Sequence, residues 1–289
     1  MPSLKALRNR IRTVDNTKQI TRAMKTVAAS KMRRTEESLR AGRPYAQCLE
    51  ELVARLVSAA GEITHPFVVH RPVERSLVVV VTADRGLCGA FNGNIIRRAE
   101  VFLQKMNAGA VDLICVGKKG RDYFRRQDRH IVAEYVDLGG KLDVARIRGL
   151  TDDIIRRFLD GEADEIFLVY NTYVSVVTYR PKVVKFLPLE AESLGAGVTI
   201  EPMDYIFEPN ASSILENILP RYLNSKMYIT LAETFTAEHS ARMVAMGTAN
   251  DNCEELLDTL TLDLNKARQA SITKELLEIV GGAEVALKG

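Results

Sequence analysis

Three stretches of this chain carry residue types that could do chemistry. The first, "TADRGLCGAFNGN" at 82–94, follows an apolar run of strand length and opens a helical one. That is where an α/β fold offers backbone amides and a helix N-terminus to a phosphate. The spacing is not GxGxxG, and no Asp or Glu is well placed after the next strand, so a structural glycine-rich turn is the better reading. The second, "GKKG" at 117–120, lacks the spacing and the Ser or Thr of a phosphate loop. It reads as a strand-to-helix turn. The third, "ITRAMKTVAASKMRR" at 20–34, has five basic residues (Arg22, Lys25, Lys31, Arg33, Arg34) and no acidic one. Its chemistry would be electrostatic.

Side chains for catalysis are dispersed. His65, His70, His130 and His239 lie in different regions, two of them beside prolines in "HPFVVHRP". No Ser-His-Asp or Cys-His grouping forms, and Asp152 and Asp153 read as first-turn residues that complement a helix dipole. Cys48, Cys88, Cys115 and Cys253 form no CxxC pair, and no His is spaced for zinc. Reduced, buried thiols in a cytosolic setting are the expectation. Catalytic, metal-binding and cofactor-binding residues are therefore all expected to be absent.

The basic helix admits several readings. A nucleic-acid arm would add aromatic residues for stacking, yet none precedes Tyr45. A membrane-surface helix needs a continuous apolar face, and residues 17–35 have a narrow one. Contact with acidic protein, or a merely solvated face, remains. The net charge of +3 hides an asymmetry: residues 1–34 hold ten Lys or Arg against Asp15 alone, whereas 232–289 hold five basic and ten acidic residues. No apolar run approaches the ~20 residues of a membrane span, and "MPSLKALRNR" lacks the apolar core of a signal peptide.

Glycine and proline then mark out the elements. Ser3 to Ala41 is free of both, a helix of ~58 Å at ~1.5 Å per residue, with Ser3 as cap. Gly42 and Pro44 should loosen or kink it before "CLEELVARLVSAA" resumes. Between about 75 and 200, "SLVVVV", "VDLICVG", "IVAEYV" and "EIFLVYN" alternate with helical patterns at 95–108 and 143–159. That pattern predicts an α/β domain with a mainly parallel sheet, and "KVVKFLPL", carrying Pro188, should be an edge strand. A proline-punctuated passage from Pro202 to Pro220 precedes a final helix. The expected regions are 1–60, 75–200 and 210–287.

Positions 243, 246, 250, 253, 257, 260, 264, 267 and 271 alternate steps of three and four, a coiled-coil seam. Leu4, Leu7, Ile11 and Val14 form its partner stripe, which should fail where positions 18, 21 and 25 are Lys, Thr and Lys. The apolar tip "LLEIVGGAEVAL" lies beyond anything the first helix could cover.

Four ordered motifs, "NTKQITRAMKTVAASKMRR", "TADRGLCGAFN", "ARMVAMGTANDN" and "NKARQASITKELLEIVGGA", resemble the gamma subunits of the rotary ATP synthases over essentially the whole chain. The resemblance implies a long antiparallel coiled coil of the terminal helices plus a Rossmann-like α/β domain. It implies a non-catalytic central rotor shaft that carries torque between the proton-driven c ring and the catalytic alpha/beta hexamer. The implied partners are three alpha and three beta subunits, epsilon and the c ring, with no nucleic acid and no membrane insertion. Such a chain would sit peripherally at the cytoplasmic face of a bacterial inner membrane, held through the complex. By motif match, Met24, Lys25, Arg268, Gln269, Thr273, Glu275 and Glu278 would meet the beta subunit. Leu276, Ile279 and Val280 would form the apolar bearing tip, and Tyr205 and Glu208 the foot on the c ring and epsilon. Two departures stand out: Gly247 inside the long helix costs roughly 1 kcal/mol relative to alanine, and no cysteine-bearing insertion of the chloroplast type is present.

Overall fold

The computed structural model describes residues 3–59, 65–69, 71–106, 109–190 and 211–288. Among them the elements run α1 (Leu4–Ala59), β1 (Arg75–Val81), α2 (Phe91–Lys105), β2 (Ala110–Val116), α3 (Lys118–Arg126), β3 (Ile131–Tyr135), α4 (Val144–Leu159), β4 (Glu165–Ser175), β5 (Thr178–Leu187) and α5 (Ala211–Lys288). Two compact units divide the chain, one of 28–242 and one of 1–27 with 243–289.

Helix α1 starts where Ser3 predicts: its Oγ accepts from the Ala6 amide at 3.3 Å and its carbonyl from the Leu7 amide at 3.1 Å. The expected break at Gly42 and Pro44 does not occur, and α1 is one helix of 56 residues. Pro44 is exposed, so the Arg40 carbonyl that it cannot serve stays open to water. Gly42 answers to packing instead. A Cβ there would come 3.2 Å from Ile229 Cδ1 and 3.3 Å from Tyr228 Cε1, so glycine lets α5 lie close. Pro220, expected to precede the last helix, lies inside α5.

In the unit of 28–242 the sheet order is β3-β2-β1-β4-β5. β1 pairs in parallel with β2 and β4, β2 with β3, and only β5 is antiparallel. β5 takes the edge, which tolerates Pro181 within it and Pro188 just past its end. The apolar runs are continuous because both faces are covered. Leu77, Val79 and Val81 pack under α1, α4 and α5, while Val78 and Val80 pack under α2 and α3. Each such side chain contributes about 1.5–3 kcal/mol by leaving water.

Helix α4 corrects one expectation. Its cap is Asp143, which accepts from the amides of Ala145 at 3.0 Å and Arg146 at 3.3 Å. Asp152 and Asp153 therefore lie mid-helix rather than in the first turn. Asp153 accepts from Tyr135, Arg156 and Arg157 at 3.1, 2.6 and 3.2 Å. Burial alone would raise its pKa, but the hydrogen bonds from Arg156 and Arg157 outweigh it and hold the carboxyl below its usual range.

In the unit of 1–27 with 243–289, α1 and α5 run antiparallel. Lys18 Nζ meets Glu254 Oε1 at 2.8 Å, and the Lys25 stem lies against Gly247, so a heptad up one helix is a heptad down the other. From 250 to 280 the residues that are not exposed are Asn250, Cys253, Leu257, Leu260, Leu264, Ala267 and Ser271, the seam positions read from the sequence. The facing stripe on α1 is Leu4, Leu7, Ile11, Val14, Lys18, Thr21 and Met24. It does not fail at Lys18 and Thr21, contrary to expectation. Lys18 lays its stem in the seam and sends its head to Glu254, while the Thr21 hydroxyl bonds its own helix at the Lys18 carbonyl, 2.9 Å away.

Candidate functional site

Both glycine-rich stretches close on Thr82, at the end of β1. The Thr82 hydroxyl donates to the Val116 carbonyl at 3.1 Å and accepts from the Gly120 amide at 2.8 Å. Gly117 has φ +91°, and a Cβ on it would fall 2.2 Å from the Thr82 carbonyl oxygen. A Cβ on Gly120 would fall 2.9 Å from Thr82 Oγ1. The glycines of "GKKG" thus serve the approach of one strand end to the next turn. Asp84 then takes the amides that a phosphate would need: its carboxylate accepts from Lys118 at 3.2 Å, Asp137 at 3.0 Å and Gly139 at 2.8 Å. Asn92 holds the Ala83 amide at 2.9 Å. An anion from the chain itself thus holds these three loop amides, and the turn serves to join the end of β1 to α3 and to the loop after β3.

A buried polar cluster escaped the sequence reading. Glu238, His239 and Arg242 face the same loops from α5: Arg242 donates to Glu238 at 2.8 Å and to the carbonyls of Arg85 and Gly86 at 3.3 Å. His239 Nε2–H donates to the Gly140 carbonyl at 3.1 Å. Burial pushes the Glu238 carboxyl up against the pull of Arg242, and burial pushes His239 down to about 4. The i,i+4 pairing of Glu238 with Arg242 was the one visible signal. The cluster ties α5 to two loops.

The implied partner-facing residues belong to the helix pair. Met24 is half-buried in the seam and Lys25 is exposed. Arg268, Gln269, Thr273, Glu275 and Glu278 are all exposed; Glu275 accepts from Ser271 at 3.3 Å, and Glu278 meets Lys274 at 3.5 Å. Fourteen residues down α1 from Lys18 is Leu4, and fourteen up α5 from Glu254 is Arg268, so Arg268 stands level with the start of α1. Beyond it, up to Val280, every described residue of the helix but Ser271 is exposed. Ile272, Leu276, Ile279 and Val280 make an i, i+4, i+7, i+8 stripe, with Leu276 57%, Ile279 68% and Val280 61% exposed. Tyr205 and Glu208 lie outside the described residues, as does His70.

The opposite charges of the two terminal segments contribute little to the pairing of the helices. Lys18–Glu254 is the one ion pair across the two helices of this unit among the described residues. Its hydrogen bond to Glu254 leads the rise in the Lys18 pKa, but so exposed a pair adds little stability. Lys5, Arg8, Arg10, Arg12, Arg22 and Lys25 all face outward. The described residues also correct the picture of buried thiols: Cys88 and Cys115 are buried, Cys253 half-buried and Cys48 exposed, all of them free. No described helix is long and apolar enough to cross a membrane.

Comparison with known proteins is consistent with this geometry over the full length. The family model described as ATP synthase matches residues 3–287. The ATP synthase gamma chain of Pelotomaculum thermopropionicum is 43% identical over 284 residues, covering 98% of this chain and 99% of the relative. That of Symbiobacterium thermophilum is 44% identical over 289 residues, covering 99% and 98%. Among solved structures, the rotor of the Euglena gracilis mitochondrial ATP synthase matches with TM-score 0.65 at 20% identity, over 93% of this chain and 98% of that one. A chain in a second structure of that enzyme, with its c-ring, reaches TM-score 0.71 at 22% identity, over 98% and 94%. At such identities these structures speak to the fold.

Proposed function

The chain belongs to the ATP synthase gamma-chain family, and from that membership we infer how its helix pair works as the central rotor shaft. As such a shaft it links the c ring to the hexamer of three alpha and three beta subunits, beside epsilon. Our reading is that it has no catalytic residue of its own and is held peripherally at the cytoplasmic face of a bacterial inner membrane through these partners.

The observation that carries the mechanism is the uncovered end of α5. A rotor must turn without being trapped, so its broad contacts need to be non-directional, and apolar contact has no preferred angle. Leu276, Ile279 and Val280 offer such a surface, which a sleeve on the stator would cover. Hydrogen bonds are directional and work as catches at one angle. Arg268 and Gln269, level with the start of α1 and free of partners among the described residues, supply such donors to beta. Thr273, Glu275 and Glu278 extend the polar side of that surface, and Met24 with Lys25 present a stem and a cation to beta lower down. Tyr205 and Glu208 complete the reading as the foot. Coupling arises because these contacts differ between the open and closed states of beta, and they bias each only by that difference.

The test is a reconstituted complex carrying Arg268→Ala with Gln269→Ala. A lost hydrogen bond to a charged group is worth about 1.5–3 kcal/mol, so coupled ATP turnover should fall by roughly tenfold or more. Turnover and proton pumping at the unaltered level would remove these two residues from the catch.

A further inference from the structure

A second site, independent of the rotor reading, lies at the edge of the sheet. A cavity of about 350 Å³ opens between β5, the Glu50 turn of α1 and the Tyr222–Lys226 turn of α5, and is closed by Pro188 and Leu189. Lys226 reaches into it with its ammonium 5.9 Å from the Phe186 ring centre and 5.6 Å from that of Tyr222. Those ring faces attract a cation but leave its three N–H donors without a conventional acceptor among the described residues. A second cation, Lys182, opposite Tyr170 in the sheet register, lines the same cavity and also has no ion pair there. Lys185 is different, since Glu165 at 3.8 Å and Glu190 at 3.5 Å offset it.

We propose that this cavity binds a small tetrahedral oxyanion of the phosphate class, with Lys226 as its central donor and Lys182 at the rim. Among the lining residues Lys182, Lys185 and Lys226 stand against Glu50 and Glu190, and it is Lys182 and Lys226 that make no ion pair among the described residues. A partly enclosed ammonium needs either an anion or deprotonation. Desolvation by burial already lowers the Lys226 pKa, Glu50 opposes that, and the repulsion of Lys182 outranks the help of Glu190. An oxyanion would relieve the desolvation and the repulsion together. Tyr170 and Tyr222 line the cavity too, and burial pushes the pKa of both phenols up, with Tyr170 hydrogen-bonded to Thr230.

The test uses the full chain with lysine labelled at Cε, titrated with inorganic phosphate and, at matched ionic strength, with chloride. The Lys226 resonance, identified by its loss in Lys226→Met, should move saturably with phosphate alone, and its titration midpoint should rise by about one pH unit. By calorimetry, Lys226→Met should weaken phosphate binding at least about tenfold and Lys182→Ala severalfold. A Lys226 signal that ignores phosphate, or that moves equally with chloride, overturns the proposal in the wild-type chain regardless of how the variants fold. Unchanged phosphate affinity in a folded Lys226→Met chain also overturns it.

Discussion

Gly247→Ala tests the shaft at the glycine that faces Lys25. Gly247 is buried inside α5, and a Cβ built on it would meet Lys25 Cε and Nζ at 3.5 Å and Cδ at 3.8 Å. Those are ordinary contacts, made with a flexible stem, so alanine enters without rearrangement. The helix then gains the difference in propensity between alanine and glycine, about 1 kcal/mol, partly through the unfolded chain. At that size the local opening equilibrium falls about fivefold. Hydrogen–deuterium exchange of amides 244–251 in the full chain reads this directly, and protection should rise by that factor. ATP-driven turnover of the assembled complex should persist, since Lys25 is exposed and its flexible side chain can keep its place beside the added methyl. Faster exchange, or a lower unfolding temperature, would show that the register of Lys25 against Gly247 is wrong.

Two further outcomes follow from the α/β unit. Gly117→Ala would put a side chain at φ +91° with its Cβ 2.2 Å from a backbone oxygen, costing above ~3 kcal/mol once strain and the forced shift of β1 combine; thermal unfolding within ~1 °C of the wild type would contradict the fit. His239 takes its proton near pH 4 when folded and near 6.5 when unfolded, so between those values the unfolded chain binds more protons. Its contribution is complete above pH 6.5 and is lost as pH falls toward 4, about 3 kcal/mol at ~1.4 kcal/mol per unit. Glu238, raised by burial, acts in the opposite sense, so urea midpoints of wild type and His239→Gln should be compared between pH 7 and 4.5. Parallel curves would refute the His239 assignment.

Where a pattern depends on one periodicity, the sequence was a reliable guide. The seam from Asn250 to Ser271 and the strands around Val79 follow from steps of three and four, or from an apolar run covered on both faces. The α1 stripe was misjudged at Lys18 and Thr21 because hydropathy scores a side chain whole, whereas a lysine buries its stem and a threonine its methyl. Pro44 and Pro220 misled for a related reason: a helix of this length, packed along its side, outlasts one missing amide. The purpose of Gly117, Gly120 and Asp84 was hidden because it lies in contacts between segments far apart in the chain. The Glu238–His239–Arg242 cluster was hidden in the same way, since its partners are the carbonyls of two distant loops.

The two units differ in how they treat polarity, and that difference bears on where recognition lies. In 28–242 several polar side chains turn inward: Asp84, Thr82, His239 and Arg242 hydrogen-bond the chain's own backbone. Among the described residues of 1–27 with 243–289 one ion pair crosses the helices, the remaining α1 cations face outward and α5 carries an exposed apolar stripe up to Val280. An apolar stripe so exposed among the described residues is kept in water only at a cost, which is the kind of surface a partner can cover. A shaft of few internal polar ties can present alternate faces to a stator while its own pairing stays unchanged, because the seam is apolar contact and not a ladder of ion pairs. The stiffness needed for torque therefore has to come from the helices themselves, and for that reason Gly247, the one glycine within residues 1–27 and 243–280, and not any surface charge, is the position where a change of one methyl should be felt along the shaft.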